Sequence, residues 1–300
     1  MAFLHTAAST GSGPRSGLKS KSWTPYLLLL PGLIWLVTFF IFPILSLAST
    51  STMVRPDGAQ VGTYVQEFRF ANYIDAFQAN QEQYLRSFIY AGIATILALA
   101  IAYPLAYMIA FKSGKYRNIL LVLVVAPFFT SFLLRTVAWT QILGDEGPIV
   151  KALKLFPFVS DSMRLTSTSF AVISGLTYNF LPFMTLPLYA SLERIDPRTL
   201  EAAGDLYANG LTTFRKVTVP LSMPGVVAGT LLTFIPAAGD YVNAAILGSP
   251  STKMIGNVIE SRFFAVVDYP TAAALSFTLM ATILILVTLY IRRSGTDELV

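Results

Sequence analysis

The chain has 300 residues, of which 54% are hydrophobic and only 12% are charged. A soluble domain carries about 25% charged residues to solvate its surface, so a water-facing globule of this size is excluded; the 13% aromatic content excludes a disordered chain. There is no cysteine, the single His5 lies in a polar tail, and the net charge of +5 is scattered through apolar sequence, which sets aside disulfide scaffolds, thiolate or multi-histidine metal sites and a basic nucleic-acid face. The composition is that of an all-α, polytopic membrane protein.

Residues 1–24 are rich in Gly, Ser and Thr and read as a disordered tail. Within it, residues 11–20 approach a phosphate loop, but Leu18 separates Gly17 from Lys19 and no strand precedes them, so the Walker A requirement is not met. A spanning helix needs roughly 20 mostly apolar residues. Residues 22–54, 87–111, 165–192 and 269–291 contain no charge, while 118–143 contains only Arg135 and 217–252 only Asp240. Six spans are therefore predicted near 26–48, 87–111, 118–143, 169–192, 222–247 and 270–291. The first exceeds the roughly 7–15 apolar residues of a signal peptide and reads as a retained helix. Prolines at 31, 43, 104, 127, 182, 187 and 236 are compatible with spans, because neighbouring helices can satisfy the backbone groups that proline frees. Residues 25–292 thus form one six-helix membrane domain, followed by a short tail, 293–300.

Lys and Arg set the orientation. With six spans both termini share a side, and that side carries twelve basic residues against eight on the other. Both termini are expected in the cytoplasm.

The segment between the fourth and fifth spans, 193–223, has a helical grammar of its own. Asp196 suits an N-cap, Pro197 the first helical position, and Glu201 and Asp205 add negative charge early in the helix. Asn209-Gly210 reads as a stop, after which a second short helix, about 211–217, ends before Pro220. Ala202, Ala203 and Gly204 allow close approach by another surface. On these features alone, an amphipathic connector and a docking element are both open.

Here the sequence resembles a family. Glu201-Ala202-Ala203, with Pro220 nineteen residues after the glutamate and Pro224-Gly225 beyond, resembles the EAA signature of importer-type ABC transporter permeases. Leu181-Pro182-Phe183-Met184, Leu186-Pro187-Leu188-Tyr189 and Ile255-Gly256-Asn257-Val258-Ile259 are similar to the spermidine/putrescine branch of that family. One position departs: six residues after the glutamate, where the family usually has glycine, stands Tyr207, and glycines occupy 204 and 210. That departure moves the expected turn to Asn209-Gly210.

The resemblance implies a non-catalytic permease subunit of a polyamine importer in the bacterial cytoplasmic membrane. Its implied partners are a second related permease, two ATPase subunits holding the ATP and Mg, and an external solute-binding protein; this chain binds no cofactor or metal of its own. Residues Glu201, Ala202, Ala203, Gly204, Asp205, Tyr207, Gly210 and Pro220 would make the ATPase-coupling site, with Glu201 seating the helix; the alternative for Glu201 is capping within its own chain. An importer of another small solute is the nearer alternative, and a self-sufficient secondary transporter the more distant one.

Two charges lie inside predicted spans. On straight helices rising 1.5 Å per residue, Arg135 and Asp240 would each lie about 26 Å from the cytoplasmic end. At matching depth they can pair as an outer gate; alternatively Asp240, with Tyr241 beside it, can face the pathway and attract a cation, or both can reach the outer headgroups.

Overall fold

The computed structural model describes residues 24–155 and 164–293. The readings of His5, of the 11–20 segment and of most of both tails fall outside these residues. The chain divides into two compact units, one ending at Leu47 and the other beginning at Ala48.

In the first unit Thr24–Leu36 is helical, a π-turn covers Val37–Ile41, and the helix Phe42–Ser51 begins. The π-turn has a local cause. Pro43 lacks an N–H, and its ring would strike the carbonyl four residues back. Widening the preceding turn, with the Phe42 N–H bonded to Val37 O, relieves the clash. The helix is apolar on every side, as suits a lipid-facing span.

The second unit is built on three helices: Gln81–Phe111 (second span), Ser169–Glu193 (fourth span) and Met223–Ala238 (within the predicted fifth span). Lipid offers no hydrophobic drive between helices, so small residues that let backbones approach do the work. The second span contributes Ala91, Ala94, Ala98, Ala102 and Ala106, all fully buried. The fifth contributes Gly225 and Gly229: a Cβ on Gly225 would lie 2.5 Å from Ser191 Cβ and 2.7 Å from Pro187 O, and one on Gly229 would lie 2.8 Å from Met184 Sδ. The sixth span, Tyr269–Arg293, joins through Ala272–Leu275, and Tyr84 of the second donates to Leu275 O at 2.7 Å. Between the first two spans, Met53–Val54 and Val65–Gln66 pair as a short antiparallel ribbon.

Among the described residues four helices are long and apolar enough to cross a membrane, and counting each of two bent pairs as one span brings the number to six. The bends correct the straight-helix picture. The predicted third span is Arg117–Val125, a 3₁₀ turn Ala126–Phe129 containing Pro127, extended residues Thr130 and Ser131, and Phe132–Ile142, with a 96° bend. The predicted fifth span is not continuous over 222–247: it breaks after Ala238 and resumes as Val242–Leu247. That break is held from outside. Asn257 Nδ2 donates to Tyr241 O at 2.7 Å, and Gly256 packs so close that a Cβ there would lie 2.6 Å from Gly239 O.

Candidate functional site: the coupling loop and a buried polar chain

The 193–223 loop begins at Ile195, which is buried, and Asp196, whose Oδ1 accepts from the Arg198 N–H at 2.9 Å. With Pro197 in first position, the helix Pro197–Asp205 follows as the sequence predicts. Its end corrects the expectation. Leu206 closes the helix and Tyr207 takes a left-handed φ of 57°, while the Ala208 N–H bonds to Ala203 O at 3.0 Å and the Tyr207 N–H to Gly204 O at 2.9 Å. This is a Schellman termination with a tyrosine where glycine is favoured. The turn therefore sits where the family usually has its glycine. Asn209 is not a stop; its Oδ1 accepts from the Thr212 N–H at 2.8 Å and caps the next helix, Gly210–Thr213.

The second short helix does not end before Pro220 either. It widens into a π-turn, Phe214–Thr218, continues through Val219–Leu221, and meets Met223–Ala238 at a 63° bend. The arrangement repeats that at Pro43: the Val219 N–H bonds to Phe214 O, and the proline follows. Phe214 packs edge-on against Tyr103 and Tyr107 of the second span at 5.5 and 5.9 Å, and the Tyr103 hydroxyl meets Ser222 Oγ at 2.8 Å. Near the loop's root, Arg117 at the start of the third span bonds to the Tyr189 hydroxyl, pairs with Glu193 and lies 5.1 Å above the Tyr189 ring.

The predicted coupling residues fall on several elements: Glu201 to Asp205 on the helix Pro197–Asp205, Tyr207 in the turn after it, Gly210 at the start of Gly210–Thr213 and Pro220 in Val219–Leu221. Glu201, Ala202, Gly204 and Asp205 are exposed on the helix and Ala203 faces inward. The Glu201 side chain makes no hydrogen bond or ion pair among the described residues, and capping falls to Asp196. No atom lies within 4 Å of a Cβ built on Gly204 or Gly210, so neither glycine is required by packing within the chain. At the tip Leu206, Tyr207 and Leu211 are 82%, 99% and 76% exposed, an apolar group in otherwise polar surroundings. Leu206 and Leu211 were not singled out from the sequence; leucines flanking a polar turn were the available signal.

The two intramembrane charges do not meet. Among the described residues Asp240 pairs with no cation. Arg135 lies over the Phe128 and Phe132 rings at 5.4 and 5.7 Å, with Nε and Nη1 buried and unpartnered. The 96° bend before Arg135 removes the straight-helix basis of the matching-depth argument, whereas the helix Met223–Ala238 runs unbroken to just before Asp240. Asp240 instead stands at the break: its Oδ1 accepts from the Asn243 N–H at 2.8 Å and its Oδ2 from Asn243 Nδ2 at 3.2 Å. The chain continues from Asn179 Nδ2 to Asn243 Oδ1 (3.0 Å) and to Thr136 Oγ1 (3.3 Å), beside Arg135. Tyr241 has a half-exposed ring, and its carbonyl anchors the break. Asn179 and Asn243 went unnoticed in the sequence, since the spans are bounded by charges and an uncharged amide does not interrupt them.

Residues 102–294 match the family described as the binding-protein-dependent transport system inner membrane component. The chain belongs to that family. The permease is 39% identical to the spermidine/putrescine transport system permease protein PotB of Haemophilus influenzae, over 86% of this chain and 90% of that protein. It is 36% identical to PotB of Escherichia coli (87% and 94% covered) and 33% identical to the inner membrane ABC transporter permease protein YdcU of the same organism (99% of each). Its fold matches a chain of a bacterial ABC transporter that imports the acidic polysaccharide alginate, with a TM-score of 0.71 at 19% identity, covering 92% of this chain and 96% of that one. A second match, at TM-score 0.67 and 19% identity (91% and 94% covered), is to the alginate transporter in complex with its loaded periplasmic protein. The protein is a multi-pass permease subunit of a binding-protein-dependent importer.

Proposed function

We propose that this permease forms half of the membrane pathway of an ATP-driven polyamine importer, with a second related permease as the other half. Two ATPase subunits hold ATP and Mg and dock on the 193–223 loops, and an external binding protein delivers the substrate. Both termini face the cytoplasm, and the subunit itself catalyses no reaction. The observation that carries the polyamine reading is the 39% identity to the H. influenzae spermidine/putrescine permease over 86% of the chain.

The loop supports the coupling part. Swinging a two-state pathway from 1:99 to 99:1 takes about 5.5 kcal/mol of differential binding, and only a stiff, firmly rooted element transmits it. Helix Pro197–Asp205 is capped at both ends, and the second short helix is pinned to the second span through Phe214 and Ser222. Its outward groups, Glu201 and the Leu206–Tyr207–Leu211 tip, are offered to the ATPase. Asp240 and Tyr241, at the break in the fifth span, lie on the pathway, with Arg135 at the bend of the third span acting as a gate element.

Co-expression with the partner subunits, native mass spectrometry and uptake of radiolabelled spermidine and putrescine into proteoliposomes test this reading. Expected are a complex of two permeases and two ATPases, and uptake that requires both ATP and the binding protein. Uptake by this chain alone, or an active complex that ignores both polyamines, would overturn it.

A further inference from the structure

Asp240 is a carboxylate inside the protein, 9% exposed, and among the described residues both oxygens accept only from Asn243. An ionised carboxylate has about four acceptor positions, so two remain free. A carboxylate can only accept, and this sets the direction of the chain attached to it. Asn243 must turn Nδ2 to Asp240 and therefore presents Oδ1 to Asn179. Asn179 must answer with Nδ2, which it also gives to Thr136 Oγ1, and Thr136 donates in turn to Phe132 O at 3.0 Å. Asn179 is left with Oδ1 buried and unpartnered, in a side chain 1% exposed. Turning the amide over would set Oδ1 against Asn243 Oδ1 and lose that bond.

From Asp240 to Asn179 the surplus polar groups among the described residues are acceptors, two positions on a carboxylate and one amide oxygen; the unpartnered donors, Arg135 Nε and Nη1, belong to the residue next to Thr136 at the other end. The helix Met223–Ala238 ends two residues before Asp240, so its carbonyl end adds partial negative charge. A carboxylate that forms no ion pair among the described residues is costly inside a membrane protein and calls for a cation, and one bearing several N–H donors fits this set. We propose that Asp240 and Asn179 form a subsite for one primary ammonium group of the transported polyamine, with Asn243 as the fixed link between them. The proposal rests on the polyamine reading above. A single carboxylate holds one ammonium at a time, firmly enough to admit it and weakly enough to release it when the next amine arrives.

Asp240 also caps the turn Val242–Leu247, and a purely structural role would end there. Asp240→Asn keeps an oxygen for the Asn243 N–H without the charge but turns a donor toward Asn243 Nδ2, so competition by two amines on the unaltered protein completes the separation. The test uses the assembled complex in nanodiscs without the binding protein, with equilibrium dialysis against radiolabelled spermidine and competition by n-butylamine or butyltrimethylammonium. Spermidine should bind the wild type, and about tenfold or more weakly in Asp240→Asn and Asn179→Ala. Butylamine should compete, whereas the quaternary analogue, which has the charge but no N–H, should be about tenfold poorer. In proteoliposomes Asp240→Asn should lose spermidine uptake while the loaded binding protein still stimulates ATP hydrolysis. Should Asn179→Ala fail to assemble, Asp240→Asn and the two amines decide alone. Wild-type binding and uptake in Asp240→Asn, or equal competition by the quaternary amine, overturn the subsite and leave the polyamine reading intact. A wild-type complex that moves no polyamine overturns that reading and the subsite with it.

Discussion

Replacing Tyr207 with glycine should tighten the coupling loop while weakening transport. Tyr207 sits at a φ of 57° with its side chain 99% exposed, so within this chain it buries nothing that glycine would forfeit. An L-residue in the left-handed region costs roughly 1–2 kcal/mol, and glycine removes that cost. Glycine also returns roughly 0.5–1 kcal/mol of extra unfolded-state entropy, leaving a net gain of about 1 kcal/mol, or roughly a fivefold smaller opening constant. The amides that report it are those of residues 206, 207 and 208, whose bonds to Ala202, Gly204 and Ala203 close the helix end. Hydrogen exchange on the purified permease should be about fivefold slower at these positions and unchanged in the second span. In the reconstituted complex the same variant should import more slowly, since the exposed ring offered to the ATPase is gone. Exchange at wild-type rate or faster would refute the conclusion that Tyr207 is strained for the sake of the turn.

Glu201→Lys should abolish or strongly reduce uptake with normal membrane insertion, because a new ammonium facing groups arranged for a carboxylate costs about 3–5 kcal/mol in a buried interface; unchanged uptake would remove Glu201 from coupling. Gly225→Ala should destabilise the packing of the fourth and fifth spans by about 1–3 kcal/mol, since the atoms met by the new methyl are Pro187 O, Leu188 Cα and Ser191 Cβ, none at the end of a flexible chain. Thermal unfolding in detergent reads this, and a wild-type midpoint would contradict the close approach. Arg117→Ala should cost only about 1 kcal/mol of stability, because its pair with Glu193 is half exposed and solvent-screened. It should nevertheless raise ATP hydrolysed per polyamine imported, by freeing the root of the coupling loop from the third span; an unchanged ratio would make the contact purely structural.

Residue types alone determine most of what places this protein in a membrane. Partition into lipid is nearly additive over a stretch of about 20 residues, so spans could be bounded by counting between charges. The second, fourth and sixth spans occur close to where that count puts them. Helix Pro197–Asp205 was legible for a similar reason: caps act over two or three residues, and Asp196-Pro197 carries its own start signal. The helix end was not, because glycine is the usual mark of a left-handed residue and here tyrosine adopts it, closed by bonds to Ala203 and Gly204. Nor could hydropathy register the 96° bend or the break before Asp240. Residues 118–143 and 217–252 are apolar enough for straight helices, and a break survives only where groups distant in sequence satisfy the freed backbone, as Asn257 does for Tyr241. The link from Asp240 through Asn243 to Asn179 and Thr136 belongs to the same class. Its partners lie 64 and 43 residues apart, and packing of the third, fourth and fifth spans alone brings them within hydrogen-bond reach.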